Sequence, residues 1–409
     1  MIDTLKILFF GSVIKPEDCT KYLGPSVAGN KMQLGIIKGL KKIHPNISVV
    51  TEIPIAAYPR ERRVIIKANN IEIEEDIKAS AVPFINIFFL KQISMIICAF
   101  FVLLKWSIRN KKEKKIIITF NPFPYISVPT ILVSKFFNIK KVCIFADPPI
   151  EVVKRKLLGK MAKYIEIKST EKNVKKYDGI VVLNKKAAEK YAPDIKYVLV
   201  DGGFDIDDKP KNKPGGQWLK YSEGDIIDIV FSGGLYEYNG LINLVDAFKS
   251  IKNDYLRLNI YGEGPLKEYI KKVSQEDCRI VYHGNVSNDK MLIIQQNAGI
   301  LINPRPIDDA ISLYTFPSKM IEYMLSGTPV VTTKLNGLTS DYLDKVFVIE
   351  NNSTEELRQG IEHVLSLERE QLIHKAREAR EFIINNKTWE LQSKKIYEFV
   401  NEIIKIGDL

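Results

Sequence analysis

The chain has 409 residues, 45% of them apolar and 27% charged, and its formal net charge is +11. This is the composition of an ordinary globular protein with room for two or three domains. The four cysteines (Cys19, Cys98, Cys143 and Cys278) are scattered, which argues against a disulfide framework and a zinc site and indicates a reducing compartment.

The first half of the chain alternates predicted strands and helices. The strands are expected at 5–11, 47–53, 115–120, 140–146, 179–183 and 196–200, and the helices at 28–43, 85–109, 125–137, 152–175 and 184–191. Such alternation predicts a parallel sheet covered by helices on both faces. The first strand is too short for the apolar core of a signal peptide, and no cleavage site follows it, so we expect a cytoplasmic protein.

Residues 84–106 form a membrane-like stretch. Its apolar core, Ile93–Leu104, is a dozen residues long, whereas a membrane-spanning helix needs about 20. We favour a buried helix that packs on strand 115–120. The alternative is a helix lying in the membrane interface, with Trp106 and the following lysines at the level of the headgroups.

Two basic stretches, 105–115 and 154–176, account for much of the positive charge. They fit either an anionic membrane surface or solvated helix faces, and these two interpretations have equal weight. No nucleic-acid recognition module accompanies them, so nucleic acid is not an expected partner. A location at the inner face of the cell membrane follows from the first interpretation.

Candidate site residues in the first half follow predicted strands. The segment Gly24–Asn30 is a glycine-containing loop before a helix. Asp147 ends strand 140–146 and precedes Pro148, so it is either a functional carboxylate or a turn residue.

The second half repeats the alternation after a linker-like segment at 202–225. Its strands are expected at 227–232, 256–261, 279–283, 299–303, 329–333 and 346–349, and its helices at 239–252, 264–275, 287–297, 317–326, 353–367 and 369–385. A final helix is expected at about 388–406.

The segment 303–331 is the most informative part of the sequence. Pro317 suits the first turn of a helix that ends at Gly327. Lys319 and Glu322 are three residues apart and therefore share one face near the N-terminus, which favours anions. A cation and a carboxylate there suit a phosphate beside a hydroxyl-rich ring, as in a nucleotide sugar.

This segment resembles the donor-site signature of retaining family-4 glycosyltransferases of the GT-B type. That signature has two glutamates separated by seven residues, followed by a turn that ends Gly-x-Pro-Val. Glu322–Val331 matches the second half, whereas Tyr314 stands at the position of the first glutamate. Phe316–Lys319 resembles a branch that acts in capsule and exopolysaccharide assembly.

The resemblance implies an α/β GT-B fold, with two Rossmann-like parallel-sheet domains facing each other across a cleft. Residues 1–203 would form the acceptor domain, 204–387 the nucleotide-sugar donor domain, and 388–409 a helix that packs back on the first domain. The implied reaction is retaining, needs no metal or cofactor, and moves a sugar from a nucleotide sugar to a lipid-linked or oligosaccharide acceptor. UDP is favoured over GDP, and the departing phosphate helps to deprotonate the acceptor hydroxyl.

The resemblance also assigns roles to individual residues. The catalytic candidates are Asp147, Lys319 and Glu322. The donor-binding candidates are Gly233, Gly234, Gly262, Gly284, Asn285, Val286, Arg305, Tyr314, Ser318, Lys319 and Glu322. The acceptor-side candidates are Gly24, Gly29 and Asn30.

Three positions depart from the family pattern. Gly234 and Asn239 stand where related enzymes usually carry Arg and Lys, so Arg305 and Lys319 are the candidate replacements. Asp308 and Asp309 are either alternative carboxylates for the sugar, since Tyr314 cannot act as an anion, or solvated acids of the loop. These departures motivate a rival hypothesis, a non-catalytic GT-B-like subunit that supports a partner glycosyltransferase.

Overall fold

The computed structural model describes residues 5–150 and 157–406, which divide into two compact α/β units. The first unit contains the described residues up to Gly203 and a helix at the C-terminal end of the chain. The second unit contains Phe204–Thr388.

The first unit contains ten strands and six helices before the unit boundary, among the described residues. The strands are β1 (Lys6–Gly11), β2 (Ile47–Thr51), β3 (Ile65–Ile66), β4 (Asn70–Glu74), β5 (Ile77–Ala81), β6 (Phe84–Ile85), β7 (Lys115–Phe120), β8 (Lys140–Phe145), β9 (Gly179–Val182) and β10 (Tyr197–Leu199). The helices are α1 (Asp18–Lys21), α2 (Val27–Ile43), α3 (Leu90–Arg109), α4 (Pro124–Phe137), α5 (Leu157–Val174) and α6 (Lys185–Tyr191).

Eight of these strands form one sheet in the order β10-β9-β8-β7-β1-β2-β5-β4. Its neighbouring strands run parallel except for β4, which pairs antiparallel with β5. The central strands are almost wholly buried because helices cover both faces, and this is why they read as continuous apolar runs.

The second unit has six strands and eight α-helices. The strands are β11 (Ile227–Ser232), β12 (Leu256–Tyr261), β13 (Ile280–Gly284), β14 (Ile300–Asn303), β15 (Val330–Thr333) and β16 (Phe347–Ile349). The helices are α7 (Leu241–Ser250), α8 (Lys267–Glu276), α9 (Asn288–Asn297), α10 (Ala310–Tyr314), α11 (Lys319–Ser326), α12 (Ser340–Leu343), α13 (Thr354–Leu365) and α14 (Arg369–Asn386).

The six strands of the second unit form a fully parallel sheet in the order β13-β12-β11-β14-β15-β16. The strand order reverses direction between β11 and β14, and ligands of open α/β sheets bind at the carboxyl ends of strands beside such a reversal. The last helix of the chain, α15 (Trp389–Ile406), packs in the core of the first unit through Ile396, Phe399 and Val400.

The structure differs from the sequence-based expectations in two places, and one expected helix start cannot be compared. The helix expected at 85–109 begins at Leu90, because residues 65–85 form short strands that the sequence reading missed. The segment 202–225 is not a free linker, since Trp218 is buried in the second unit and donates from Nε1 to the Gly299 carbonyl at 2.7 Å. The start expected for α5, at 152, lies outside the described residues.

Candidate functional site

The carboxyl ends of β11, β12 and β13 form a glycine-lined edge. Gly233 follows β11 with φ of +146°, and Gly262 follows β12 with φ of +133°. The Gly262 amide donates to the carbonyl of Gly284 at 2.8 Å. A Cβ on Gly262 would collide with the Gly233 carbonyl, so the two loops approach more closely than side chains permit. The edge therefore presents backbone, rather than side chains, to a ligand.

Helix α11 is fixed to this edge by Tyr323. The Tyr323 side chain is fully buried, and its hydroxyl accepts a hydrogen bond from the Ser232 amide at 2.9 Å. Burial raises the pKa of Tyr323 to about 12, so the hydroxyl stays neutral. Because α11 is anchored at the end of β11, its first turn lies beside Gly233.

Lys319 begins α11 and carries an unpartnered buried cation. Its Nζ has no hydrogen-bond acceptor among the residues that the structure describes, and it lies 4.3 Å from the centroid of the Phe231 ring. A Cβ on Gly233 would be only 2.8 Å from this nitrogen. Burial lowers the pKa of Lys319 to about 7, and the charge of Arg305 adds to that effect while Glu322 opposes it.

Arg305, in the loop after β14, is the second cation at this edge. Its Nη2 donates to Oδ1 of Asn239 at 3.2 Å, and its buried Nε has no partner in the described part of the chain. Asn239 in turn donates to the Gly234 carbonyl at 2.7 Å. Burial lowers the pKa of Arg305 from its ordinary value, whereas Tyr238 and Asp309 act in the opposite direction. The guanidinium thus reaches the position where related enzymes usually carry a lysine.

Gly234 stands where related enzymes usually carry an arginine. A Cβ there would lie 2.8 Å from the ring of Tyr236, which stacks on Tyr238 with 4.9 Å between ring centroids. A longer side chain at 234 would therefore require this tyrosine pair to move.

The other predicted donor residues are distributed around this edge. Ser318 is exposed immediately before α11, and Glu322 is half-buried one turn after Lys319. Tyr314 ends α10. Asn285 and Val286 follow β13, and Asn285 is exposed.

Two nearby polar residues were not identified from the sequence. Asn303 ends β14; its buried Oδ1 has no partner among the described residues, while its Nδ2 donates to Thr332 Oγ1 at 3.0 Å. Ser312 in α10 also has a buried, unpartnered oxygen within the described chain. An asparagine that closes an apolar strand is a weak sequence signal for Asn303, and we find none for Ser312. Asp309, in contrast, caps α10 by accepting from the Ile311 amide at 2.8 Å.

The predicted acceptor-side residues of the first unit have structural contacts. Gly24 has φ of +128° and packs against the backbone of Pro54. Gly29 and Asn30 lie in the first turns of α2 rather than in a loop before it. The Asn30 side chain accepts from the Ile14 amide at 2.9 Å and donates to the Ile14 carbonyl at 3.0 Å, which fixes the loop after β1.

Asp147 lies exposed at the end of β8, next to the end of β7. Its carboxylate accepts from Asn121 Nδ2 at 2.7 Å. Oδ1 of Asn121 accepts the backbone amides of Ala146 and Asp147, both at 2.9 Å. The asparagine therefore orients the carboxylate at the carboxyl edge of the sheet.

Glu52, which the sequence analysis did not single out, follows β2 at the same edge of the first sheet. Its amide donates to the Gly11 carbonyl at 2.9 Å, and its side chain is buried. Burial raises the pKa of Glu52 to about 7, although the charge of Lys91 opposes the shift. The sequence does not indicate that Glu52 is buried, because a single glutamate after an apolar strand is ordinarily exposed.

Comparisons with known proteins agree with this geometry. Residues 227–366 match the family model described as glycosyl transferases group 1. The chain is similar in structure to sucrose-phosphate synthase from Thermosynechococcus elongatus, with a TM-score of 0.68 and 13% identity, over 98% of this chain and 100% of that chain. For a glycosyltransferase from Rickettsia africae ESF-5, the TM-score is 0.65 and the identity 17%, over 99% of this chain and 100% of that chain.

The chain also resembles Anabaena HepE in complex with UDP, with a TM-score of 0.63 and 14% identity, over 97% of this chain and 100% of that chain. No curated protein matches the sequence. The structural likenesses confirm the GT-B fold that the sequence predicts. The match over 227–366 supports a glycosyltransferase of the GT-B type.

Proposed function

We propose that the protein is a retaining, metal-independent glycosyltransferase. It moves a sugar from a nucleoside diphosphate sugar to a lipid-linked or oligosaccharide acceptor in the biosynthesis of a cell-surface polysaccharide. Residues 1–203 serve as the acceptor domain, 204–387 as the donor domain, and 388–409 as the returning helix. The observation that carries the proposal is the pair of buried cations, Lys319 and Arg305, beside the glycine-lined edge of the second unit.

A diphosphate suits these cations on physical grounds. A buried cation without a hydrogen-bond acceptor is costly, and an anionic ligand would supply the missing partner. The N-terminus of α11 adds a partial positive charge, and the absence of a side chain on Gly233 leaves room for a phosphate oxygen. Negative charge grows on the diphosphate as the sugar departs, so the same cations stabilise the transition state.

The remaining assignments follow from the resemblance. Glu322 accepts hydrogen bonds from the ribose hydroxyls, and the backbone at Gly284, Asn285 and Val286 contacts the nucleobase. UDP is favoured over GDP, and this choice is supported by the structures of Anabaena HepE with UDP and with UDP and glucose. Asp147 orients the acceptor, and the departing phosphate receives the proton of the acceptor hydroxyl.

The acceptor and the pathway rest on narrower support. Phe316–Lys319 resembles the branch of capsule and exopolysaccharide enzymes, which favours a polysaccharide precursor as the acceptor. The rival function, a non-catalytic subunit, is favoured by Gly234, Asn239 and Tyr314. The hydrogen bond from Arg305 to Asn239 argues against it, because it brings a cation back to a position where the family residue is missing.

Calorimetric titration with UDP and GDP tests the donor site. We expect one nucleotide to bind to the native protein, and Lys319→Ala to weaken that binding about 10- to 100-fold, since a charge-assisted hydrogen bond is lost. Glu322→Ala should also weaken it. Lys271→Ala is the matched control, because that lysine forms an exposed ion pair with Glu268 on α8.

Turnover then separates the two functions. Radiolabelled sugar from the nucleotide sugar that binds should enter a lipid or oligosaccharide fraction, and Lys319→Ala should lower kcat by about 100- to 1,000-fold. Binding without transfer to any acceptor fraction would favour the non-catalytic subunit. Absence of nucleotide binding by the native protein would refute the donor-site assignment.

A further inference from the structure

Helix α3 has an unusual apolar surface. Within the part of the chain that the structure describes, it is the helix that is long and apolar enough to cross a membrane by length and composition. Only 22% of its most apolar 18 residues are buried. A core helix of a soluble protein would bury most of such a segment, so most of this surface is not used by the fold.

The inner face of α3 is an integral part of the first unit. Met95, Ala99 and Leu103 are buried, and the last two belong to a core cluster with Leu8 of β1. Trp106 donates from Nε1 to Ser48 Oγ at 3.1 Å, so it is not an anchor at headgroup level as one interpretation of the sequence required. The expectation that this helix packs on the sheet is therefore correct for the inner face of α3. If α3 spanned a membrane, its inner face would have to leave the core of the first unit.

The opposite face of α3 is exposed and apolar. Its residues follow one another at intervals of three, four or seven positions, so they lie on one side of the helix. They are Leu90, Ile93, Ile97, Phe101 and Ile108, which are 48–60% exposed and are called the outer face below.

The apolar surface continues beyond the helix. Phe88 and Phe89 precede α3, are both about half exposed, and contact each other edge to face at 4.5 Å. Ile65 and Ile85, which pair across β3 and β6, are 67% and 42% exposed. Scattered exposed apolar residues are normal, whereas a continuous group of this extent indicates an interaction surface.

Positive charge borders the outer face. Residues 85–112 include five basic side chains and no Asp or Glu. Lys105 is four positions after Phe101, on the same side of the helix, and Arg109, Lys111 and Lys112 follow it; all four are exposed. An apolar stripe with cations at its end is the pattern of a helix that lies in a membrane interface, where the cations contact anionic headgroups.

We propose that the outer face of α3 docks on an anionic lipid bilayer, with the helix parallel to the membrane plane. Leu90, Ile93, Ile97 and Phe101 enter the boundary between headgroups and acyl chains, and Lys105 and Arg109 contact the anionic headgroups. Charge favours anionic lipid over a second copy of this chain, because residues 85–112 of a second copy offer no Asp or Glu to pair with these cations. The protein is then peripheral at the inner face of the cell membrane.

This inference is independent of the proposed function, since it uses residues of the first unit only. Sedimentation with lipid vesicles tests the membrane docking of α3. The vesicles contain phosphatidylcholine with or without ~30 mol% phosphatidylglycerol, an anionic fraction that gives a strong surface potential. The native protein should bind the anionic vesicles, and added salt should weaken binding because it screens the headgroup charge. The double variant Ile97→Glu/Phe101→Glu should bind at least about tenfold more weakly.

Two further variants separate the contribution of the cations to vesicle binding from that of the apolar stripe. Lys105→Gln/Arg109→Gln should weaken binding to anionic vesicles about fivefold for each cation removed, and it leaves the apolar stripe intact. Tyr255→Glu is the matched control, because Tyr255 is 56% exposed on the second unit, and it should bind like the native protein. Circular dichroism and nucleotide titration check that each variant is folded.

The opposite results are equally informative. Native protein that stays in the supernatant with both vesicle types would overturn the proposal. A concentration-dependent dimer that Ile97→Glu/Phe101→Glu dissociates, without vesicle binding, would assign the face to a second copy instead. Vesicle binding together with absent nucleotide binding would retain this inference and refute only the donor site.

Discussion

The carboxyl edges of the two sheets have similar architecture but carry acidic groups in the first unit and basic groups in the second. In the second unit, Lys319 and Arg305 bring buried cations to the strand ends, and each has a nitrogen without a partner among the described residues. In the first unit, the strand ends carry the carboxylates of Glu52 and Asp147, the latter oriented by Asn121. Both sheets provide a rigid platform, while the residues just after the strands supply the ionisable groups of each edge.

The two edges also differ in how their charges are compensated. Asp147 accepts a hydrogen bond from an amide whose position is fixed by two backbone contacts. Lys319 lies against the Phe231 ring and beside Gly233, but its Nζ has no acceptor among the described residues. On the proposed function, nucleotide binding by the second unit should therefore depend strongly on the protonation of Lys319.

The difference in charge compensation between the two edges should have its largest effect on the pH dependence of nucleotide affinity. Because the pKa of Lys319 is lowered to about 7, this side chain is mostly neutral at higher pH in the free protein. Binding of the diphosphate favours the charged form, so a proton must be taken up. The affinity for UDP should fall by up to about tenfold per pH unit between pH 7 and pH 9.

Calorimetry in buffers of different ionisation enthalpy measures this proton uptake directly. Lys319→Arg is the control, since a guanidinium stays charged over this pH range and should give a nearly flat profile. An equally steep profile in that variant would assign the pH dependence to another group. A flat profile in the native protein together with unchanged affinity in Lys319→Ala would mean that Lys319 does not contact the phosphate, whereas a flat profile with weakened binding in Lys319→Ala would mean that Lys319 stays charged up to pH 9.

A smaller effect is expected when the space at Gly233 is filled. In Gly233→Ala the new Cβ would be 2.8 Å from Lys319 Nζ, at a backbone φ of +146° that alanine rarely adopts. We expect a loss of about 1–3 kcal/mol in the free energy of unfolding and roughly tenfold weaker UDP binding, measured by thermal denaturation and calorimetry.

Gly224→Ala separates the two causes of that effect. Gly224 also has a positive φ, of +95°, but nothing lies within 4 Å of the added Cβ. This control should lose stability from backbone strain and keep its affinity for UDP. Weakened nucleotide binding in both variants would show that the effect of Gly233→Ala comes from general destabilisation.

The sequence predicts the elements of the fold better than it predicts the contacts of the site. Buried parallel strands such as Ile227–Ser232 are continuous apolar runs and are recognisable alone, whereas β3 and β6 have two residues each and carry no periodic signal. Lys319 and Glu322 were found because they lie in one short motif. The hydrogen bond from Arg305 to Asn239 joins residues 66 positions apart, so only the folded chain reveals it.

Glu52 illustrates the same limit on the acidic side. Glu52 is buried at the end of β2, where its amide donates to the Gly11 carbonyl, and no local sequence pattern encodes this burial. This buried carboxyl group should make the stability of the first unit depend on pH.

Replacing Glu52 by Gln should remove a pH dependence of the first unit. Since burial raises the pKa of Glu52 from 4.5 to about 7, the folded protein binds this proton more tightly than the unfolded chain. The stabilising contribution is present below pH 4.5 and is lost as pH rises through about 7, a change of about 3 kcal/mol at most. Glu52→Gln should therefore unfold at a higher temperature than the native protein at pH 8 and at a similar temperature near pH 4.5, as measured by thermal denaturation.

The control is Glu72→Gln, which changes an exposed carboxylate on β4 and should leave the pH dependence of the unfolding temperature unchanged. If the unfolding temperature of Glu52→Gln falls between pH 4.5 and pH 7 as much as that of the native protein, another group causes the fall. The carboxyl group of Glu52 would then be ionised in the folded protein, and a neighbouring group would compensate its charge.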